Sequence, residues 1–368
     1  MKQVMIYAYT ANNLGDDLFI YILCKRYPNT KFFLYAPSSY YTTFKDMPNV
    51  LIINNEHLLL KISSQILKVI RKPYFYREKV GRKCPIGVYI GGSIFMEKPN
   101  WKKEAENVRS MIHTHEHFFI LGANFGPFKK VEFYQTYEHL FQQVTDICFR
   151  DHVSYSLFQH LENVRQASDV VFQLGEKRSE NNDENTVVIS VIYPSIRKHL
   201  VGYDDIYFQA MKDITIKCIE QGYTVKLMAF CKLEKDDIAI EEIMKLIPET
   251  YHSKLLTYRY RSNIVEALNQ IKQAKAVIAT RFHAMILGWV FHKPVFPIVY
   301  SNKMKTVMDD LAFKGLYSHV KHLDKLNIDN VISAIHGKPI NIEHQKQDAT
   351  KQFAKLDQLL LKDRSEDF

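Results

Sequence analysis

Arg281 and His283 stand one residue apart in the stretch Ala276-Val-Ile-Ala-Thr-Arg-Phe-His-Ala-Met-Ile-Leu-Gly-Trp-Val290. A guanidinium offers a planar fork of donors that fits a carboxylate or a phosphate two bonds at a time. An imidazole gives or takes a proton near neutral pH. An anion cradle beside a proton carrier suits a phosphorylated or carboxylated substrate. The same spacing also describes a surface arginine and a core histidine at an ordinary junction, because R-x-H alone is a weak motif. Four other places carry comparable groups. Asn13-Leu-Gly-Asp-Asp17 offers close backbone approach at Gly15 and acids at Asp16 and Asp17, which equally serve as helix caps. Gly91-Gly-Ser93 permits another backbone or a ligand to come near. Arg150-Asp151 is either an internal ion pair that fixes a turn or a donor pointed at a ligand. Lys303 adds a further cation. The spacing of His113, His115 and His117 looks metal-like, but no carboxylate pair accompanies it and no metal is expected.

The elements that must hold these groups follow from hydrophobic patterning. Ala276 to Ala279 reads as a buried strand, Thr280 as the N-cap, and the apolar run from Phe282 as a deeply packed helix. A strand-to-helix turn leaves amides and a positive helix end free for an anion. Val4 to Tyr9, Ile86 to Ile90, Phe118 to Gly122 and Asp146 to Phe149 read as further strands. Each of the motif loops thus falls at a strand's carboxyl end, where open α/β sheets bind ligands. Helices are expected over Leu18 to Arg26 and His57 to Arg71, and the basic, aromatic run Lys72 to Cys84 as a solvated or surface-facing connection. Pro297 in the strand Pro294 to Tyr300 argues for an irregular or edge position. The polar run Glu176 to Asn185 reads as an interdomain linker, after which the alternation restarts. The expected division is residues 1–176, residues 186–335 and a helical tail, 336–368, crossing back to the first domain. Both halves should be parallel sheets covered on both faces, with a cleft between them.

The chain has 368 residues, 46% of them hydrophobic and 24% charged, with a net charge of +9. The length suits two domains. The charge suits an anionic partner, but the lysines are dispersed, so a solvated basic surface is expected rather than nucleic-acid binding. Five scattered cysteines with no C-x-x-C pair point to a reducing, cytoplasmic compartment. No leader and no membrane span is expected, although a basic surface permits peripheral membrane contact.

Taken in order, Asn13-Leu-Gly-Asp-Asp17, Gly91-Gly-Ser93, Gly126-Pro127, Arg150-Asp151 with Ser154, Ser168 to Phe172, and Thr280-Arg-Phe-His283 with Tyr300 to Lys303 resemble the polysaccharide pyruvyl transferases. Small departures stand at Ser93, Cys148 and the residues around Arg281. The resemblance implies two Rossmann-like α/β domains in a GT-B-type arrangement with the active site in the interdomain cleft. It implies transfer of a pyruvyl group from phosphoenolpyruvate to two hydroxyls of a sugar or lipid-linked oligosaccharide, with no cofactor. It implies donor binding by Arg150, Arg281, His283, Lys303 and the Gly91, Gly92, Ser93 loop. His283 becomes the general acid, Asp16 the base, and Asn13, Asp16 and Asp17 the acceptor side. A nucleotide-sugar glycosyltransferase of the same architecture is the alternative enzyme. A scaffold that kept the fold is the non-enzymatic one, and an intact Arg281 and His283 weigh against it.

Overall fold

A computed structural model describes residues 1–56, 75–174 and 185–361. The helix expected over 57–71 lies outside them, as does the expected linker apart from Asn185. The chain divides into two compact units. One comprises Met1–Thr10, Asp16–Gln173 and Gln347–Phe368, the other Ala11–Gly15 and Leu174–Lys346. The expected division at 176, 186 and 336 differs in two places: the tail joins the first unit only from Gln347, and Ala11–Gly15 groups with the second.

In the first unit the described strands are β1 (Gln3–Tyr7), β2 (Lys31–Ala36), β3 (Val50–Asn54), β4 (Ile86–Ile90), β5 (His117–Ala123), β6 (Asp146–Phe149) and β7 (Val164–Gln166). They form a parallel sheet in the order β3-β2-β1-β4-β5-β6-β7. The central strands are buried along most of their length because helices cover both faces, which is why their sequences read as continuous apolar runs. The strand order reverses between β1 and β4. That switch point opens a crevice at the carboxyl ends of both strands. One face is packed by an aromatic cluster in which Phe125 meets Phe158 edge-on at 4.8 Å and Phe95 meets Phe141 at 5.1 Å. Each such pair contributes about 1 kcal/mol beyond its burial.

In the second unit the described strands are β8 (Thr186–Ser190), β9 (Thr224–Ala229), β10 (Leu255–Arg259), β11 (Ala276–Ala279), β12 (Val295–Val299) and β13 (Ser318–His319). The order is β10-β9-β8-β11-β12-β13, again parallel, with its switch point between β8 and β11. β11 runs directly into the helix Phe282–Val290, so Arg281 and His283 lie at this second crevice. The sequence argued for an irregular or edge position for Pro297, but the strand that carries it is not an edge strand. β12 is one place in from the edge and wholly buried, and the short β13 pairs only with Ile298 and Val299, beyond the proline.

Other expectations shift at their boundaries. The first helix begins at Leu14 rather than Leu18, because Asn13 Oδ1 accepts from Gly15 N at 3.1 Å and starts the turn early. Phe75–Gly81 is a helix rather than a connection, and Arg77 packs inward across the Tyr7 ring and bonds Ser110 Oγ at 3.2 Å. The tail breaks into the helices Glu343–Thr350 and Ala354–Leu360 around a turn at Lys351–Phe353. Phe353 and Leu356 are buried, and Leu361 is exposed. Within the first unit the tail acts as a clip. Gln352, fully buried, accepts from Gly122 N at 2.9 Å and donates to Ala167 O at 2.9 Å and Ser168 O at 3.2 Å. Asp357 takes Arg26 in a two-bond fork and accepts from Tyr27 OH at 2.7 Å.

Candidate active site

In the second unit, four strands end at one place. At the end of β8, Ser190 Oγ accepts from the amides of Thr280 and Arg281, each at 3.1 Å, and fixes the start of the helix Phe282–Val290. Arg281, not Thr280, is the N-cap residue. The Thr280 hydroxyl is instead engaged by Tyr207 OH at 3.1 Å, in a fully buried site. The first-turn amides of a helix lack partners within it, so this end is electropositive.

Arg281 is not an open fork. It is buried, with a side chain 7% exposed, and two carboxylates already hold it. Nη1 donates to Glu234 Oε2 at 2.6 Å and Nη2 to Asp236 Oδ1. Its Nε is buried and has no partner. Asp236 Oδ2 accepts from the amides of Phe230 and Cys231, each at 3.0 Å, so the loop after β9 folds around this carboxylate. Glu234 Oε2 also accepts from Arg197 Nη2 at 2.5 Å, and its Oε1 from Asn13 Nδ2 at 3.3 Å. Burial pushes the Glu234 carboxyl up, but Arg281 and Arg197 outweigh it and bring it down to about 2. At Asp236, burial outweighs Arg281 and leaves the carboxyl above its ordinary range. Burial opposes the charge on Arg281, yet Asp236 and Glu234 hold the guanidinium firmly protonated.

His283 sits in the first turn of the helix, half-buried, with its ring 4.9 Å from that of Phe282. The segment Ala11–Gly15 closes over it. Leu14 N donates to Phe230 O at 3.1 Å, and Asn13 bridges to Cys231. A Cβ placed on Gly15 would overlap the His283 imidazole. Gly15 is therefore required for close approach to the imidazole. Lys303, in the first turn of the helix Asn302–Asp310 that follows β12, lies over the Phe282 ring at 5.3 Å. Burial pushes the Tyr300 phenol up, but Lys303, Arg197 and Arg281 together bring it below its usual value. The field here is positive.

The first unit builds a separate cluster at its own switch point. Arg150 is buried. Nη1 donates to Asp169 Oδ2 at 2.9 Å and Nη2 to Asn124 Oδ1 at 2.7 Å. Its ion pair is with Asp169, and neither reading of Arg150-Asp151 anticipated that partner. Asp151 instead caps the helix His152–Phe158 by accepting from Ser154 N at 2.8 Å. A Cβ on Gly92 would collide with the Arg150 guanidinium, and Ser93 Oγ donates to Asn124 Oδ1 at 3.2 Å. The Gly91–Ser93 loop is thus laid directly on Arg150. Asp17 is fully buried and accepts from Tyr40 OH at 2.6 Å. This corrects its expected place on the acceptor side: a carboxylate with no exposed surface supports the helix it stands on. Asp16 is half-buried on the same first turn.

The sequence reading placed Arg150, Arg281, His283, Lys303 and the Gly91–Ser93 loop on the donor side of one cleft and Asn13, Asp16 and Asp17 on its acceptor side; the structure groups Asn13, Arg281, His283 and Lys303 in the second unit, and Asp16, Asp17, Gly91–Ser93 and Arg150 in the first. It missed Glu234, Asp236 and Arg197. All three follow strands at their carboxyl ends, and that position was the available signal.

The fold is shared, over essentially the whole chain, with solved GT-B enzymes. The Anabaena HepE structure in complex with UDP and glucose aligns with a TM-score of 0.58 at 12% identity, covering 98% of this chain and 99% of that one. The UDP-GlcNAc 2-epimerase of Neisseria meningitidis, bound to UDP-GlcNAc, aligns with a TM-score of 0.60 at 8% identity, covering 98% and 100%. At such identities the likeness establishes the fold, two Rossmann-like α/β units of the GT-B class. The sequence narrows this further. Residues 13–302 match the family described as polysaccharide pyruvyl transferase, and the chain belongs to that family. It is 22% identical over 289 residues to the amylovoran biosynthesis protein AmsJ of Erwinia amylovora, covering 72% of this chain and 68% of that protein. The chain is a polysaccharide pyruvyl transferase. Among the described residues, no helix is long and apolar enough to cross a membrane.

Proposed function

We propose that this chain moves the pyruvyl group of phosphoenolpyruvate onto two hydroxyls of a sugar in a polysaccharide precursor, forming a cyclic ketal and releasing phosphate. The observation that carries this reading is His283 at the start of a helix, beside a buried guanidinium and a lysine in a positive field. An anionic enol phosphate accounts for that field better than a neutral donor does. His283 protonates the donor's methylene carbon, which becomes the methyl group. The cationic centre left at the phosphate-bearing carbon is attacked by one sugar hydroxyl, which gives its proton to a base. Departure of phosphate regenerates the cationic centre, and the second hydroxyl closes the ring and loses its proton in turn. Asp16, which follows Gly15 in the chain, is the proposed base. Lys303 and the amides at the start of the helix Phe282–Val290 neutralise the phosphate. Arg150 is assigned the positioning of the Gly91–Ser93 loop rather than direct donor contact, since Asp169 and Asn124 occupy its fork.

The GT-B likeness supports a second reading, in which the donor is a sugar nucleotide. Calorimetric and thermal-shift titrations with phosphoenolpyruvate, run beside a panel of UDP-sugars, separate the two without a known acceptor. A ligand that binds only the folded state raises the melting temperature by mass action. Phosphoenolpyruvate binding that is lost in Arg281→Ala and kept in His283→Ala is expected. A shift with a UDP-sugar and none with phosphoenolpyruvate overturns the proposal.

A further inference from the structure

Arg197 has no place in the motifs that mark this family in the sequence, yet it shares a single oxygen with Arg281. Glu234 Oε2 accepts from Arg197 Nη2 at 2.5 Å and from Arg281 Nη1 at 2.6 Å. Two guanidinium groups bridged by one carboxylate oxygen are near neighbours, and like charges so close are held only against repulsion. Arg197 is also fixed from other sides. Its Nη1 donates to Tyr193 O at 3.4 Å, and its guanidinium lies over the Tyr300 ring at 4.8 Å. Its side chain keeps 14% of its surface open, against 7% for Arg281 and none for Asp236. It is therefore the arginine of the pair more open to solvent. It lies in the loop that leaves β8, one of the two strands that flank the crevice.

The charge balance of this cluster is incomplete. Arg197, Arg281 and Lys303 bring three positive charges, and Glu234 and Asp236 at most two negative ones. The excess positive charge stands on residues that keep part of their surface open, and such a surplus favours an anion. Arg281 Nε, buried and unpartnered, is a further donor without an acceptor.

We propose that Arg197 and Arg281 form one two-armed clamp for the anionic groups of the donor, and that Glu234 is the positioning residue that holds the two arms together. The proposal rests on the reading of the donor as phosphoenolpyruvate. Glu234 does not touch the donor. It lowers the repulsion between the arms while the site is empty and fixes their spacing. The incoming phosphate or carboxylate takes the outward donors of Arg197.

The test is a calorimetric titration with phosphoenolpyruvate and, separately, with inorganic phosphate, on wild type, Arg197→Gln, Arg197→Lys and Glu234→Gln. Arg197→Gln should weaken phosphoenolpyruvate by at least about tenfold, and Arg197→Lys, which restores the charge, should recover part of that loss. Glu234→Gln keeps the shape and removes a negative charge from the clamp. It should bind inorganic phosphate about threefold or more tighter than wild type, an outcome that a merely structural carboxylate does not produce. Where Arg197→Gln does not fold, Arg197→Lys carries the comparison. Wild type that fails to bind phosphoenolpyruvate overturns the donor reading. Wild type that binds while Arg197→Gln binds equally well overturns the clamp. Phosphate affinity that falls in Glu234→Gln overturns the role of Glu234 as counter-charge to the empty clamp.

Discussion

Replacing Glu234 with glutamine tests the electrostatics of the site through folding alone. The Glu234 carboxyl has an ordinary value of 4.5 and is brought down to about 2, with burial opposing and Arg281 and Arg197 prevailing. Each unit of difference is worth about 1.4 kcal/mol, so ionised Glu234 contributes about 3 kcal/mol at neutral pH. The folded value is the lower one. The contribution is therefore complete above the unfolded value and is lost as the pH falls toward 2, leaving about 1 kcal/mol at pH 3. Glu234→Gln should destabilise the second unit by about 3 kcal/mol at pH 7, and the gap to wild type should narrow on acidification. The two tryptophans make the measurement specific. Trp101 is buried in the first unit and Trp289 in the second. In a Trp101→Phe background, urea titration followed by fluorescence reports the second unit. A difference under about 0.5 kcal/mol at pH 7, or one that does not shrink toward pH 3, refutes the pairing deduced here. Phosphate should stabilise the variant more than the wild type, by mass action on the unbalanced arginines.

Gly15→Ala places a Cβ where the His283 imidazole lies, so the ring must turn away. Phosphate release in the presence of acceptor should fall by roughly a hundredfold or more, the scale of a lost general acid, with donor affinity within about threefold. Gln352→Leu removes the groups that pair Gly122 N, Ala167 O and Ser168 O. The first unit should lose about 3 kcal/mol, read by Trp101 fluorescence in a Trp289→Phe background, because buried backbone groups are left without partners. Gly92→Ala should displace Arg150 from Asp169 or Asn124, which a crystal structure of the variant would show directly.

The alternation of apolar runs and amphipathic stretches sufficed to read two parallel sheets, because strands buried on both faces leave no other pattern. The position of Arg281 and His283 at a strand's carboxyl end was legible for the same reason. What local reading could not supply was the partner of each charge. Arg281 is 47 residues from Glu234 and 45 from Asp236, and only the adjacency of β9, β8 and β11 brings them together. Arg150 shows the same limit on a smaller scale: its neighbour Asp151 turned to cap a helix, and its actual partner, Asp169, lies 19 residues away. Asp17 looked like a site acid beside Asp16. Helical spacing points consecutive residues in different directions, and Asp17 faces the interior and Tyr40.

The Gln352 clip also sets an order of events during synthesis. The sheet of the first unit is complete at Gln166, yet 185 residues separate Ala167 from the side chain that pairs its carbonyl. At translation rates of about 5–20 residues per second, that interval lasts roughly 10–40 s. Throughout it the nascent first unit carries an open seam along Gly122, Ala167 and Ser168, while the second unit emerges from the ribosome behind it. A chain that stops short of Gln352 keeps that seam for good, with polar backbone offered to water or to another nascent chain.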